Sequence, residues 1–270
     1  ANAATQNSFC SGTTCVITEI FDQTGNGNNL TDAPAGGAAG GPDGLANAAA
    51  APTTVEGQPV YGVYIAAGDG YRDDNTKDIA TGNNSEGEYD VVDGTHYDNG
   101  CCFDYGNAET TANNDGNGTM EAVYLGLGVI WGTGVEGGPW VMADLENGLY
   151  PGWENGQDRN ISTNTPLQHD FVTAVVVGDT ADKNGGRGRF ALYGGDATAG
   201  SLKEMYDGIR PEKPGYVPMR KQGSIILGIG GDNSNGGAGR FYEGVMANGV
   251  ATRETVDALQ AAIVAAGYGR

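Results

Sequence analysis

The chain has 270 residues, with 34 Asp and Glu against 14 Lys and Arg and a formal net charge of -20. Binding phosphate needs clustered cations, so this balance excludes nucleic acid and anionic membrane surfaces as partners and suits a neutral ligand. Apolar residues make up 39% of the chain and none of their runs is long enough to span a bilayer, so residues 1–270 read as a single core-forming domain.

In chain order, Cys15 to Phe21 is β-rich and ends in the turn cluster Asp22 to Asn28. Residues 33–52 are mostly Ala, Gly and Pro, a surface loop. A short strand follows over 60–65. Residues 68–100 are polar and acidic and read as long loops beside a binding face. Further strands are expected near 120–131, 139–147, 170–177, 188–194, 223–230 and 239–247. The 48 glycines follow no three-residue period and fall between these runs, as tight turns require. One helix closes the chain: Thr252 caps it, Val256, Leu259 and Ile263 repeat at helical spacing, and Gly267 stops it. The sum is an all-β protein with one C-terminal helix.

Two stretches carry chemistry. In Gly138 to Gly148, a strand reading sends Val141, Ala143 and Leu145 to a core and Trp140, Met142, Asp144 and Glu146 to the other face. In Ser224 to Gly236, Ile225, Leu227 and Ile229 face a core, while Gly228, Gly230 and Asp232 present bare backbone and one carboxylate. Glycine within a strand often marks close approach of a ligand. Glycoside cleavage needs two carboxyl groups flanking the scissile bond, and Glu146 and Asp232 fit that need. No GxSxG elbow accompanies His96 or His169, and there is no HExxH pair, so neither a serine hydrolase nor a zinc site is indicated. No metal or cofactor is expected. Asn113 to Gly118 has the look of a calcium loop, but Tyr124 stands where Glu is needed, and an Asn/Gly turn is the plainer reading.

The four cysteines fall in two local pairs, Cys10/Cys15 and Cys101/Cys102, which favours an oxidising compartment. Triplets beginning at Asn29, Asn117 and Asn160 match the acceptor pattern for N-glycosylation. Neighbouring Cα atoms lie about 3.8 Å apart across a trans peptide, below the usual disulfide span. Free or separately paired thiols therefore stand beside a strained bond between Cys101 and Cys102, which would offer sulfur as a hard apolar surface to a sugar ring.

Three segments, Cys101 to Thr110, Pro139 to Leu149 and Ile226 to Gly236, closely resemble the catalytic domain of family 54 α-L-arabinofuranosidases. Asp22 to Leu30, Asp93 to Tyr97 and Phe241 to Met246 support the match. The resemblance implies a concanavalin-like two-sheet β-sandwich (jelly roll) and a retaining hydrolase, secreted, that releases terminal arabinofuranose from plant hemicellulose or pectin side chains. It implies Glu146 as nucleophile, ionised, and Asp232 as general acid/base, its proton held partly by the charge of Glu146. It implies a vicinal Cys101–Cys102 disulfide against the sugar, with Trp131, Asp144, Asn147 and Gly231 lining the pocket. The family's C-terminal arabinose-binding trefoil and an N-terminal portion are expected outside these residues, and a separate chain is expected to supply the N-terminal strands. Two other readings of the same fold are a non-catalytic carbohydrate-binding module and a structural or filament subunit.

Overall fold

The computed structural model describes residues 2–128 and 131–270. Its strands are, in chain order, β1 (Glu19–Ile20), β2 (Leu30–Asp32), β3 (Pro52–Val55), β4 (Gln58–Tyr61), β5 (Val63–Ile65), β6 (Tyr71–Asp73), β7 (Glu86–Val92), β8 (Asp104–Ala108), β9 (Glu121–Gly126), β10 (Trp140–Asp144), β11 (Leu149–Tyr150), β12 (Val172–Asp179), β13 (Arg189–Asp196), β14 (Lys203–Gly208), β15 (Ser224–Leu227) and β16 (Gly239–Asn248). An eight-stranded sheet has the order β1-β2-β6-β15-β8-β9-β10-β11, and a six-stranded sheet has the order β14-β13-β12-β7-β16-β5. Every pairing within them is antiparallel. The two sheets face one another as a β-sandwich, and β3 and β4 form a separate hairpin.

Alternation fixes which side chains lie between the sheets. Tyr71, Tyr105, Val123, Leu125, Val141, Ala143, Ile225 and Leu227 of the larger sheet meet Val92, Val172, Ala174, Val176, Phe190 and Leu192 of the smaller one in the main core. The outer face of the smaller sheet is covered by the C-terminal helix Arg253–Ala266, whose Val256 joins Val175, Val177, Ala191 and Tyr193. Thr252 caps that helix through its own side chain and Gly267 ends it in the left-handed conformation, as its sequence predicts. No helix among the described residues is long and apolar enough to cross a membrane.

Several expectations change. The strand foreseen over 120–131 is β9 and stops at Gly126; residues 129 and 130 lie outside the described residues. The acidic region 68–100 holds β6 and the central strand β7 rather than loops alone. In β7, Glu86, Glu88 and Asp90 share the inward face with Val92, so its acid-and-apolar pattern passes for an exposed segment. Lys221 and Arg210 make that burial tolerable. The Lys221 ammonium lies 2.7 Å from Glu121 and 3.1 Å from Glu86, and Arg210 lies 3.3 Å from Glu121. The chain also opens with a short helix, Ala3–Phe9, capped by Asn2 and followed by the Cys10–Cys15 disulfide.

Candidate active site

The candidate site residues lie on the outer face of the larger sheet. On β10, Trp140, Met142 and Asp144 point away from the core while Val141 and Ala143 point into it, as alternation predicts. Glu146 is not on the strand. It sits in the turn after β10, with φ of 62° and Asn147 beside it at 56°. Two consecutive non-glycine residues in the left-handed region cost roughly 1–3 kcal/mol each, a strain found chiefly where function demands a particular placement. The turn is held by a hydrogen bond from the Glu146 amide to Asp144 Oδ1 at 3.0 Å and one from the Tyr216 hydroxyl to the Glu146 carbonyl at 2.7 Å.

The Asp232 segment departs from strand alternation. β15 ends at Leu227, and Gly228 takes φ of 79°, which turns the chain back over the sheet. Ile229 therefore packs with Ile226, Ala108, Met120 and Ala122 on the outer face instead of joining Ile225 and Leu227 in the core. Asp232 follows in a tight turn, its Oδ1 accepting the Ser234 amide at 2.9 Å. A Cβ built on Gly230 would lie 3.5 Å from Cys102 Sγ and 3.6 Å from Asp232 Oδ1, so the carboxylate and the sulfur flank one bare stretch of backbone.

Cys101 and Cys102 form a disulfide across a cis peptide, with Cα atoms 2.9 Å apart rather than the trans spacing assumed from sequence. Their sulfurs cluster with Trp131, Tyr124, Trp140 and Met142. Cys102 Sγ is 3.5 Å from Asp144 Oδ2 and Cys101 Sγ is 3.5 Å from Ser234 Oγ. Asn147 is exposed and held at 3.1 Å by Asn114 and by Asn117. The disulfide, Trp131, Asp144, Glu146, Gly231 and Asp232 thus meet on one face, with Asn147 at its margin.

Three residues of this site were not foreseen: Asp104, Glu109 and Arg72. Asp104 stands two residues after Cys102, so strand alternation alone aims it at the same face. Arg72, buried on β6, donates to the Gly231 carbonyl at 3.1 Å and to Asn233 Oδ1 at 2.8 Å, and also to the Glu109 carbonyl. Its one guanidinium ties the loop after β8 to the Asp232 turn.

Five carboxyl groups share this small volume. Burial, then the neighbouring Asp144, Glu109 and Asp232, push Glu146 up to about 10. Burial lifts Asp144 to about 7. Asp104 is raised well above the ordinary carboxylate range by burial and by Asp144, and Glu109 is raised by burial. Burial among neighbouring acids thus favours the protonated form of Glu146, whereas the resemblance implies an ionised carboxylate at the moment of attack.

This has a thermodynamic consequence. A carboxyl whose folded pKa exceeds its unfolded value binds protons more tightly in the native state, so its contribution is full below about pH 4 and is lost as pH rises through the folded value. The melting temperature should fall between pH 5 and pH 7.5, and Asp144→Asn should flatten that slope. A melting temperature that rises over this interval would refute the assignment.

Gly231 supplies a steric requirement. A Cβ there would lie 1.9 Å from Glu109 Oε2 and 3.1 Å from Met120 Sδ. Gly231→Ala should displace the Asp232 turn and lower catalytic turnover by about a hundredfold, since small misplacements near reacting groups are that costly. Steady-state kinetics on a folded variant decide it; wild-type turnover would mean the turn tolerates the methyl.

A family model described as Alpha-L-arabinofuranosidase B, catalytic, matches residues 1–269. A probable α-L-arabinofuranosidase B of Aspergillus fumigatus is 53% identical over 99% of this chain and 52% of its own length. An arabinofuranosidase/B-xylosidase of Trichoderma koningii is 52% identical over the same shares. A crystal structure of an arabinofuranosidase complexed with arabinofuranosyl-α-1,2-xylobiose superposes with a TM-score of 0.93 at 49% identity, over 100% of this chain and 55% of that one. A family 54 α-L-arabinofuranosidase soaked with a cyclic sulfate inhibitor gives 0.92 at 48%, over 99% and 55%. The chain spans about half the length of the curated relatives it matches.

Proposed function

This chain belongs to the family of α-L-arabinofuranosidase B catalytic domains, glycoside hydrolase family 54, and on that premise we propose that it hydrolyses terminal α-L-arabinofuranosides with retention of configuration. The observation that carries the reading is the grouping around one sulfur: Cys102 Sγ lies 3.5 Å from Asp144 Oδ2, Asp144 Oδ1 accepts the Glu146 amide at 3.0 Å, and Asp232 flanks the same sulfur across Gly230.

The furanose ring rests against Cys101–Cys102 and Trp131, an apolar floor suited to the carbon face of a sugar. Asp144, Asn147 and the Gly231 backbone line the ring's polar edges. Glu146 attacks the anomeric carbon as Asp232 protonates the departing oxygen. Asp232 then takes a proton from the water that releases arabinose from Glu146. Retention by this route requires the two carboxyl groups roughly 5–5.5 Å apart. A formal net charge of -20 suits a neutral saccharide, and the proposed substrates are arabinofuranose side chains of plant hemicellulose or pectin. We infer an extracellular setting, supported by two disulfides. A separate chain completing the sandwich draws no support from the comparisons, which align with this chain almost end to end.

Release of nitrophenol from 4-nitrophenyl α-L-arabinofuranoside, with the first-formed sugar read as the α anomer by NMR, is the expected result. Folded protein that releases nothing would refute the reading; a β-anomeric first product would refute retention.

A further inference from the structure

The turn that carries Asp232 is held from outside its own segment. Arg72 on β6 donates through Nη1 to the Gly231 carbonyl at 3.1 Å and to Asn233 Oδ1 at 2.8 Å, the residues on either side of Asp232. Its Nη2 donates to the Glu109 carbonyl and its Nε to Asp74 Oδ1 at 2.8 Å. Arg72 is only 2% exposed, so bulk water does not compete for these bonds.

Residues 33–52, a surface loop by their sequence, close on the same turn from another side. The Ala38 amide donates to the Asp232 carbonyl at 2.9 Å, and Asn233 Nδ2 donates to the Pro34 carbonyl. Gly36 permits the approach: a Cβ there would lie 2.6 Å from Asn233 Cβ and 3.0 Å from the Asp232 carbonyl oxygen. Asn233 is wholly buried with φ of 66°, and both ends of its side-chain amide are committed, one of them to Arg72. Asp232 itself stays partly exposed. The backbone on both sides of it is thus locked inside while the carboxyl stands at the surface, which is the arrangement a proton donor to a bound substrate needs.

We propose that Arg72 is a positioning residue for the general acid: through Gly231 and Asn233 it fixes where the Asp232 carboxyl stands relative to the leaving oxygen. This rests on the hydrolytic reading and on the acid/base role of Asp232 given above. In that step Glu146 forms its bond to the anomeric carbon, the bond to the leaving oxygen breaks, and the proton of Asp232 passes to that oxygen. Arg72 neither gains nor loses a proton. The weight of the transfer depends on the leaving group. Nitrophenolate departs with little help, whereas the more basic phenolate needs the proton. A displaced Asp232 therefore penalises poor leaving groups selectively, while a general loss of packing lowers every substrate by the same factor.

The test is kcat/KM, which reads the steps through departure of the leaving group, across a series of substituted phenyl α-L-arabinofuranosides. Arg72→Lys keeps a cation beside Asp74 but lacks the planar fork that reaches the Gly231 and Glu109 carbonyls and Asn233 together. It should lower kcat/KM by no more than about threefold on the 4-nitrophenyl substrate and by about a hundredfold on the unsubstituted phenyl one, so that the dependence on phenol basicity steepens. Asn233→Gly tolerates the positive φ and removes one acceptor of Arg72. It should steepen the dependence in the same sense, with about a tenfold loss on the phenyl substrate. A dependence in folded Arg72→Lys that runs parallel to wild type overturns the proposal. Should Arg72→Lys not fold, Asn233→Gly decides, and a parallel dependence there overturns it. A wild type inactive on the whole series refutes the hydrolytic reading, and the proposal with it. Asp232→Asn running parallel to an active wild type refutes the acid role of Asp232, on which the proposal stands. A steepened Asp232→Asn beside a parallel Arg72→Lys refutes only the role of Arg72.

Discussion

Glu146→Gln is expected to abolish hydrolysis of 4-nitrophenyl α-L-arabinofuranoside, with kcat falling by about 10⁴-fold or more, while Asp232→Asn should cost about 10²–10⁴-fold. The two carboxyls have different work to do, and the losses differ accordingly. An amide at position 146 cannot attack the anomeric carbon at all. An amide at 232 can neither protonate the leaving oxygen nor activate water, but nitrophenolate departs with little help, so the first step suffers less than the second. Azide, a nucleophile that needs no general base, should therefore restore turnover to Asp232→Asn and yield an arabinosyl azide of retained configuration. Rescue of a small-residue variant at 146 should give the inverted azide. Retained product from the 146 variant would exchange the two roles. The raised pKa of Glu146 makes this a sharp test, since by protonation alone it resembles the acid rather than the nucleophile.

Lys221→Met is expected to destabilise the domain by about 3–5 kcal/mol, the usual result of removing one partner from a buried ionic cluster. The ammonium of Lys221 is fully buried between Glu121 on β9 and Glu86 on β7, and Glu88 lies nearby with both carboxyl oxygens lacking hydrogen-bond partners. Without it, Arg210 alone faces these acids from its contact with Glu121. Burial already raises Glu86 and Glu88, so they can take up protons, and the deficit should be smaller at pH 5 than at pH 8. At about 2–4 °C per kcal/mol for a domain of this size, the melting temperature should drop by roughly 10 °C. The double variant Lys221→Met with Glu86→Gln should recover part of the loss. A double variant no more stable than Lys221→Met would mean the pair does not couple. Activity at low temperature should survive, because this cluster lies between the sheets and the candidate site lies outside them.

The two predictions fall on opposite sides of the larger sheet, and its alternation is what separates them. On β9, Glu121 points inward to Lys221 while Ala122 and Tyr124 point outward beneath the site. On β6, Tyr71 enters the core while Arg72 reaches the Asp232 turn and the Glu109 carbonyl on the other face. A one-residue slip in either strand would bring the interior cations and acids to the surface and bury the site.

Much of this was determined by local sequence. Alternation at Trp140 to Asp144 and the caps of the C-terminal helix depend on residues a few positions apart, so they are legible without a partner segment. The motifs around Cys101, Glu146 and Asp232 pointed to the family because each is a short run of consecutive residues, legible without the fold. What only the tertiary structure decided was the environment of charge. The acids of β7 read as solvated because nothing within β7 reveals Lys221, which arrives from the far side of the sandwich more than a hundred residues later in the chain. Ile229 left the core because Gly228 turned the backbone, and a glycine does not announce its φ. Glu109 and Arg72 joined the site through neighbours on other strands. Burial and Coulomb interaction are properties of position in space, and they determine which carboxyl holds a proton only once the sheets have assembled.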